Sequence, residues 1–196
     1  MYSHIKCSEE NCDFFALNAN DKCLKHTLNR DKLIKNITHD IQKEEMIRNY
    51  NISTIILDSI ELKDKMIIVS NFSNSTFSNI DFTGSNILFS LFQYSTFNNC
   101  KFNDTTIKYT IFAGSTFSNC EFIDSNIVNS NFNGADVKAS SFNDSDLYYS
   151  TFTSSKLENV TFVECNLKKT DFYKSKRTNV SFKYSNYEEA YFNRDR

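Results

Sequence analysis

The sequence predicts an all-β protein whose chain winds into a parallel β-helix of square cross-section, and two repeats in the residue pattern predict it. A bulky apolar residue stands at the centre of nearly every block of five residues from Ile67 to Phe192. Centres twenty positions apart are alike, as in Phe72, Phe92 and Phe112. A helix, with about 3.6 residues per turn, and a strand, which alternates every two residues, would both fail to bury a period of five. A chain that turns a corner every five residues, with four corners in each coil, does bury it.

Each block of five also supplies a second inward position and a corner. A small residue stands two positions before most centres, such as Ser75 and Cys100. Glycine or asparagine recurs two positions after the centre, as at Gly84 and Asn99, and these types tolerate the positive φ of a tight bend. Coils stacked about 4.8 Å apart would pair as short parallel strands, so about six and a half coils from Ile67 onward predict a rod roughly 30 Å long.

The blocks SNFSN, STFSN, SNIVN, ADVKA, SDLYY and CNLKK share one pattern: a small residue, then Asn, Asp or Thr, an apolar centre, a polar residue and a turn former. This pattern resembles the pentapeptide-repeat family, and the resemblance runs from about Ile67 to Asn193. It implies a right-handed quadrilateral β-helix. It does not imply one function. The best-understood members are DNA-mimicking proteins that bind DNA gyrase.

Composition and charge narrow the range of possible functions further. The 196 residues carry a formal net charge of −2, so the whole chain has neither the basic field that attracts nucleic acid nor an acid surplus that imitates it. The N-terminus lacks the apolar core of a secretion signal, and no window approaches the roughly 18 apolar residues of a membrane span. We therefore expect a cytoplasmic protein with reduced thiols, no membrane contact and no direct nucleic-acid binding.

We expect no enzymatic activity. Every histidine lies before residue 40, and the chain has no nucleophile elbow, phosphate-binding glycine loop or dinucleotide fingerprint. Cys100, Cys120 and Cys165 occupy the small inward position, where a thiol acts as a buried hydrophobic group.

The N-terminal segment predicts a metal site. Cys7, Cys12, Cys23 and His26 follow the spacing C-x4-C-x10-C-x2-H, which gives two chelating pairs joined by a loop, as a tetrahedral structural Zn²⁺ requires. His4 is an alternative ligand. Scattered thiols in a disordered tail are the other interpretation, but so short and polar a segment needs a metal to become ordered. The segment also resembles the zinc-knuckle-like extensions of some pentapeptide-repeat proteins. Four ligands make the site structural rather than catalytic.

An amphipathic helix is predicted next, from about Arg30 to Asn49, with Leu33, Ile37 and Ile41 near one face. Its expected role is to cap the open first coil of the rod, with membrane or partner-helix binding as the alternative. The expected divisions are a zinc-knuckle-like segment at 1–28, a capping helix at 29–50 and the repeat β-helix at 51–196.

Two outer stripes are candidate interaction surfaces. One is a column of acidic residues that repel one another, a cost that the fold itself does not require. The column therefore favours a DNA mimic, although nearby lysines reduce its negative charge. The other is apolar and off the inward register, and its expected cover is the N-terminal segment, a second protomer or a foreign protein. The acidic column is Asp104, Asp124, Asp144 and Glu164, and the apolar stripe comprises Leu88, Phe89, Leu91, Tyr94, Tyr109, Ile111, Val128, Tyr148 and Tyr149.

The last coil predicts a homodimer. Arg177 is the one clear charge at a centre, so the regular interior is expected to end at this coil. Aromatic residues follow, and two rods meeting end to end would hide them through a two-fold contact, which also resembles the C-terminal dimers of the gyrase-binding relatives. These residues are Tyr184, Tyr187, Tyr191 and Phe192.

The sequence thus predicts a non-catalytic interaction module or scaffold that binds an unidentified protein. The alternative is a DNA mimic that modulates DNA gyrase or a related topoisomerase.

Overall fold

The computed structural model describes residues 5–18 and 20–193, and it shows a parallel β-solenoid of about seven turns preceded by one α-helix. Helix α1 spans Arg30–Lys43. Sheet 1 has the strand order β1-β3-β5-β7-β9, and sheet 2 has β2-β4-β6-β8-β10-β11-β12. The strands of sheet 1 are β1 Met46–Arg48, β3 Met66–Ile68, β5 Asn86–Leu88, β7 Thr106–Lys108 and β9 Asn126–Val128. Those of sheet 2 are β2 Ile56–Asp58, β4 Thr76–Ser78, β6 Thr96–Asn98, β8 Thr116–Ser118, β10 Asp136–Lys138, β11 Lys156–Glu158 and β12 Lys176–Thr178.

Two further walls complete the square, each held by single parallel bridges at intervals of twenty residues. Bridge wall 1 follows sheet 1 along the chain and includes Asn71, Leu91 and Ile111. Bridge wall 2 follows sheet 2 and includes Asp81, Lys101 and Glu121. Every pairing in the rod is parallel, so like residues stack on like, as the twenty-residue repeat predicts.

The predicted centres form the core. The phenylalanine centres from Phe72 to Phe172 are fully buried, and their rings stack coil on coil. Phe102 and Phe122 lie 4.5 Å apart between ring centroids with planes 2° from parallel, and Phe72 and Phe92 lie 4.8 Å apart. Each stacked pair adds about 0.5–1.5 kcal/mol beyond the area it buries, so the ladders stabilise the rod along its whole length.

The small inward residues form hydrogen bonds with backbone N–H and C=O groups at the corners. Ser95 Oγ accepts a hydrogen bond from the backbone N–H of Ser75 at 3.2 Å and donates to the carbonyl of Phe72 at 2.9 Å. A hydroxyl therefore fits this slot better than a methyl group, because it pairs buried backbone groups. The predicted corner residues have positive φ, including Asn99 at 52° and Gly84 at 73°.

The helix ends earlier than the sequence predicts. It stops at Lys43 rather than near Asn49, because Glu44 is extended and the carbonyl of Glu45 already accepts from Met66 N at 2.9 Å. Ile47 is fully buried opposite Ile67 as the first centre of the rod. The solenoid thus begins in β1, before the boundary expected at residue 51.

Helix α1 covers the first coil. Its Leu33, Ile37 and Ile41 are buried in the same apolar cluster as the first centres of the rod, Ile47 and Ile52. At its start, Lys32 N donates to the side chain of Asn29 at 3.0 Å, which is an N-cap bond. No helix within the described ranges has the length and apolarity required to cross a lipid bilayer.

Candidate metal centre and interaction surfaces

The predicted ligands Cys7, Cys12, Cys23 and His26 come together. Their ligand atoms all lie within 4.8 Å of one another. Cys7 Sγ is 3.5 Å and Cys23 Sγ is 3.6 Å from His26 Nδ1, and Cys12 Sγ is 3.9 Å from Cys23 Sγ. Sulfur and nitrogen ligands at about 2.3 and 2.0 Å from a tetrahedral Zn²⁺ would be about 3.4–3.8 Å apart, and these three separations are close to that range. The alternative ligand, His4, lies outside the described residues.

Local backbone bonds place these ligands. An antiparallel bridge between Lys6 and Phe15 folds the first two cysteines into a short hairpin. A turn in which His26 N donates to the carbonyl of Cys23 at 3.1 Å brings the second pair together, and the backbone N–H of Cys23 donates to Cys7 Sγ at 3.4 Å. The spacing of two residues between Cys23 and His26 is therefore what this turn requires.

The electrostatic surroundings of the cluster differ between its thiols. Burial raises the pKa of Cys7, but hydrogen bonds, chiefly from the backbone N–H groups of Cys23 and Glu9 and then from His26, outweigh it and lower this pKa to about 6. Burial and the neighbouring sulfurs of Cys7 and Cys23 raise the pKa of Cys12. Three adjacent thiolates repel one another unless a metal neutralises them, so the donor set can hold a soft or borderline divalent cation.

The N-terminal segment, described at residues 5–18 and 20–28, is packed against the rod. Asn18 N donates to the carbonyl of Asn51 at 2.9 Å, and Asn51 Nδ2 donates to the carbonyl of Ala16 at 2.6 Å. Leu17 is buried in the same apolar cluster as the rod core. A cleft of about 330 Å³ remains between the segment and bridge wall 1, lined in part by Phe14 and Leu91.

The four long edges of the rod differ in chemistry. The apolar edge joins sheet 1 to bridge wall 1, and the glycine edge, with Tyr94, Gly114 and Gly134, joins bridge wall 1 to sheet 2. The asparagine edge follows sheet 2, where Asn119 Nδ2 donates to Asn99 Oδ1 at 3.3 Å and Asn99 Nδ2 to Asn79 Oδ1 at 3.2 Å. The acidic edge follows bridge wall 2. Each edge is a column of corner residues that repeats every twenty positions.

The structure brings the predicted acids into one exposed column. The acidic edge consists of Asp64, Asp104, Asp124, Asp144 and Glu164, interrupted by Gly84. Asp81 lies on the adjoining wall, paired with Lys63 at 3.2 Å. Burial alone would raise the pKa of Asp81, but hydrogen bonds from Thr83 and the nearby Lys63 lower it.

Most of the predicted apolar stripe also forms one column, and Tyr94 does not belong to it. Tyr109, Tyr149 and Ile111 are 52%, 45% and 36% exposed, so the N-terminal segment leaves them accessible. Tyr94 lies on the glycine edge, where its ring leaves no room for a Cβ at Gly114. The apolar edge is therefore defined as Leu88, Phe89, Tyr109, Val128, Tyr148 and Tyr149, with Leu91 and Ile111 beside it. Lys108 and Asn129 each interrupt one of its two columns.

The C-terminal coil carries its own cover. The Arg177 side chain is exposed at a centre position, and its guanidinium lies 4.7 Å from the centroid of the Phe192 ring. Tyr184, Tyr187 and Tyr191 are exposed around it, and a short 3-10 helix spans Tyr187–Glu189. As expected, the regular buried core ends at this coil. The Arg177 guanidinium covers the Phe192 ring there, a contact that its charge alone did not predict.

Comparison with known proteins agrees with the fold. Residues 115–192 match the family model described as pentapeptide repeat region. None of the curated proteins matches the chain at a significant level.

Solved structures of pentapeptide-repeat proteins are similar to the chain. A trypsin-treated variant of QnrB1, a plasmid-mediated fluoroquinolone resistance protein, has a TM-score of 0.51 at 12% identity and covers 76% of this chain and 79% of that one. HetL, a pentapeptide repeat protein involved in heterocyst differentiation regulation from the cyanobacterium Nostoc sp. strain PCC 7120, covers 84% of this chain and 97% of that one, at 10% identity and a TM-score of 0.29. At these identities the similarity concerns the fold alone.

Proposed function

The rod is a pentapeptide-repeat solenoid, and from this premise we propose that the protein is a non-catalytic scaffold that binds another protein along its outer surface. The observation that carries the proposal is the apolar edge. Its Tyr109 and Tyr149 are each about half exposed on a rigid backbone, two coils apart. Contiguous apolar surface on a folded protein marks an interaction site when nothing within the chain covers it.

Co-purification tests this function. The tagged protein is expressed in its native host beside a Tyr109→Asn/Tyr149→Asn variant and a Tyr94→Asn control, which removes an exposed tyrosine from another edge. A specific protein recovered with the wild type and the control, and lost with the double variant, supports the scaffold function. Recovery of the same proteins with all three forms would contradict it.

The metal centre supports this function structurally. We assign Zn²⁺ to Cys7, Cys12, Cys23 and His26, because three thiolates and one imidazole in a tetrahedral arrangement are a common structural zinc set. With four protein ligands the ion has no open position for a substrate. Its role is to fold residues 5–28, so that Leu17 and Asn18 can contact the first coil.

A DNA-mimicking modulator of DNA gyrase is the second candidate, and the acidic edge favours it. Its five acids span five coil spacings, which gives roughly one charge per 5 Å. Duplex DNA carries about one charge per 1.7 Å, so the edge has about a third of the charge density of DNA. Lys63, Lys101 and Lys183 on the adjoining wall reduce it further. A supercoiling assay with purified bacterial gyrase decides: neither inhibition nor protection from a quinolone at micromolar protein would reject this candidate.

End-to-end dimerisation through the C-terminal coil is a further part of the proposal. Tyr184, Tyr187 and Tyr191 are 72%, 56% and 42% exposed and lie on the same last coil as the partly buried Phe192. A two-fold contact between two such ends would bury these aromatic residues and both edges of the last coil.

A further inference from the structure

The apolar edge is continuous with the cleft beside the N-terminal segment. Leu91 lines that cleft together with Phe14 and Leu24, and it also pairs with Ile111 on the next coil. Phe14 is 58% exposed at the far side of the cleft. An apolar path therefore runs from the N-terminal segment along the rod to Tyr149, across roughly 14 Å of stacked coils between Phe89 and Tyr149.

The charges in the two corner columns of the apolar edge are mainly positive. Between Ile68 and Lys169 they are Lys108, Lys168 and Lys169. Lys168 Nζ lies 3.4 Å from Glu189 Oε2 on the following coil, so Lys108 and Lys169 supply the remaining positive charge. Lys169 is fixed there, because its Nζ donates to the hydroxyl of Tyr149 at 2.7 Å and lies 4.6 Å from the centroid of that ring. The partner of such an edge needs acidic groups beside apolar ones.

The backbone of the edge cannot recruit a β-strand. Phe89 N donates to the carbonyl of Lys108 at 3.0 Å, and Tyr109 N donates to that of Val128 at 3.3 Å. Because these backbone groups already hydrogen-bond to the neighbouring coil, a partner must bind through side chains. That requirement excludes strand addition on this side of the rod.

The aromatic rings are also unsuited to stacking a sugar or a base. The rings of Phe89 and Tyr109 are stacked on each other, 5.0 Å apart between centroids and 3° from parallel. They therefore present edges outward, whereas sugars and bases are bound by exposed ring faces. A second copy does not meet this requirement, because in a parallel contact the edge lysines would oppose the same lysines, and in an antiparallel contact they would face the apolar residues near Phe89, so neither arrangement supplies acidic groups.

We propose that the apolar edge binds an amphipathic α-helix of a partner protein, with acidic residues flanking the apolar side of that helix. The proposal rests on the scaffold function and specifies its partner. A helix of about 10–12 residues is about 15–18 Å long, which matches the length of the edge. Its apolar residues recur about every 5.4 Å, close to the coil spacing of about 4.8 Å, so successive turns contact successive coils.

A peptide library with no built-in secondary structure tests the proposal. Random peptides of about 16 residues are displayed on phage and selected against the full chain, and the selected peptides are then synthesised and measured by fluorescence anisotropy. Tyr109→Asn/Tyr149→Asn removes the aromatic anchors, and Lys168→Gln/Lys169→Gln removes the charges. Tyr94→Asn is the matched control, since Tyr94, Tyr109 and Tyr149 all have φ between 53° and 59°, a conformation that asparagine tolerates.

We expect selected peptides that are acidic, carry apolar residues at helical spacing and become helical by circular dichroism when bound. Their affinity should fall about tenfold or more in the aromatic double variant, fall about threefold or more and lose salt dependence in the lysine variant, and change less than about twofold in the control. Basic or extended peptides, or no peptide sensitive to Tyr109 and Tyr149, would overturn the helix proposal. If a protein partner still co-purifies through this edge, the scaffold function stands without it.

Discussion

Asn51 joins the rod to the N-terminal segment by donating a buried hydrogen bond from its Nδ2 to the carbonyl of Ala16, at 2.6 Å. The oxygen of the same amide accepts a hydrogen bond from Asn71 Nδ2 at 3.0 Å, so the hydrogen-bond network continues into the second coil. The segment that carries the candidate metal ligands is thus part of the capped end of the rod.

The first prediction concerns metal content. Protein purified without a chelator should contain about one zinc per chain by elemental analysis, and Cys12→Ser should lose it, because a hydroxyl is a poor zinc ligand. Cys120→Ser is the matched control, since most small inward positions of the rod are already serine. Full zinc content in Cys12→Ser would refute the ligand assignment.

Chelation should loosen the N-terminal segment and leave the rod folded. The segment depends on the metal, whereas the rod has its own phenylalanine core. Hydrogen exchange after chelation should rise at residues 5–28 and in the first coil near Asn51, while the coils from Phe92 onward keep their protection. Loss of protection along the whole rod would show that the metal controls the entire fold.

The core register predicts unequal costs of truncation. Phe112 is fully buried between stacked rings, so Phe112→Ala should reduce the free energy of unfolding by roughly 3–5 kcal/mol. Lys138 is exposed, and Lys138→Ala should cost less than about 0.5 kcal/mol. Denaturant unfolding measures both, and equal costs would contradict the register.

The hydrogen bonds of Lys65 link the rod to its helical cap. Its Nζ donates to the carbonyl of Gln42 at 2.6 Å and to that of Glu44 at 2.7 Å, which completes the C-terminus of α1. Lys65→Met should therefore reduce the free energy of unfolding by about 1–2 kcal/mol. Lys63→Met, which removes an exposed pair with Asp81, should reduce the free energy of unfolding clearly less than Lys65→Met does. A loss in Lys63→Met as large as that in Lys65→Met would argue against a specific cap.

The C-terminal coil predicts the oligomeric state. One chain has a mass of 22.8 kDa, and sedimentation at tens of micromolar should give about twice that mass. Tyr187→Asp with Phe192→Asp should restore the mass of a single chain, because buried carboxylates would oppose one another across the contact. A wild-type mass near 22.8 kDa would reject the dimer.

Much of the rod could be predicted from sequence because its order is local and repetitive. The burial of Phe72 and Phe92 and the positive φ of Asn99 follow from positions within a five-residue block. The clustering of Cys7, Cys12, Cys23 and His26 was also predictable, because pairs of such residues at short spacing have few other uses.

The features that the sequence analysis missed have two causes: contacts between distant parts of the chain, and columns of the repeat that were not followed coil by coil. The helix ends at Lys43 because Glu45 pairs with Met66, and Tyr94 leaves the apolar stripe because its corner belongs to a different edge. The basic flank of the apolar edge was also missed. Counting Lys108 and Lys168 in columns of twenty would have shown it.

The central claim is that the apolar edge contacts a partner protein, and site-specific photo-crosslinking in the native host tests it most directly. A photoreactive amino acid replaces Tyr109 on the apolar edge or, as a control, Asn119 on the exposed asparagine edge. We predict a discrete crosslinked product of higher mass from position 109 and none from position 119. No product from position 109, or equal products from both positions, would contradict the account.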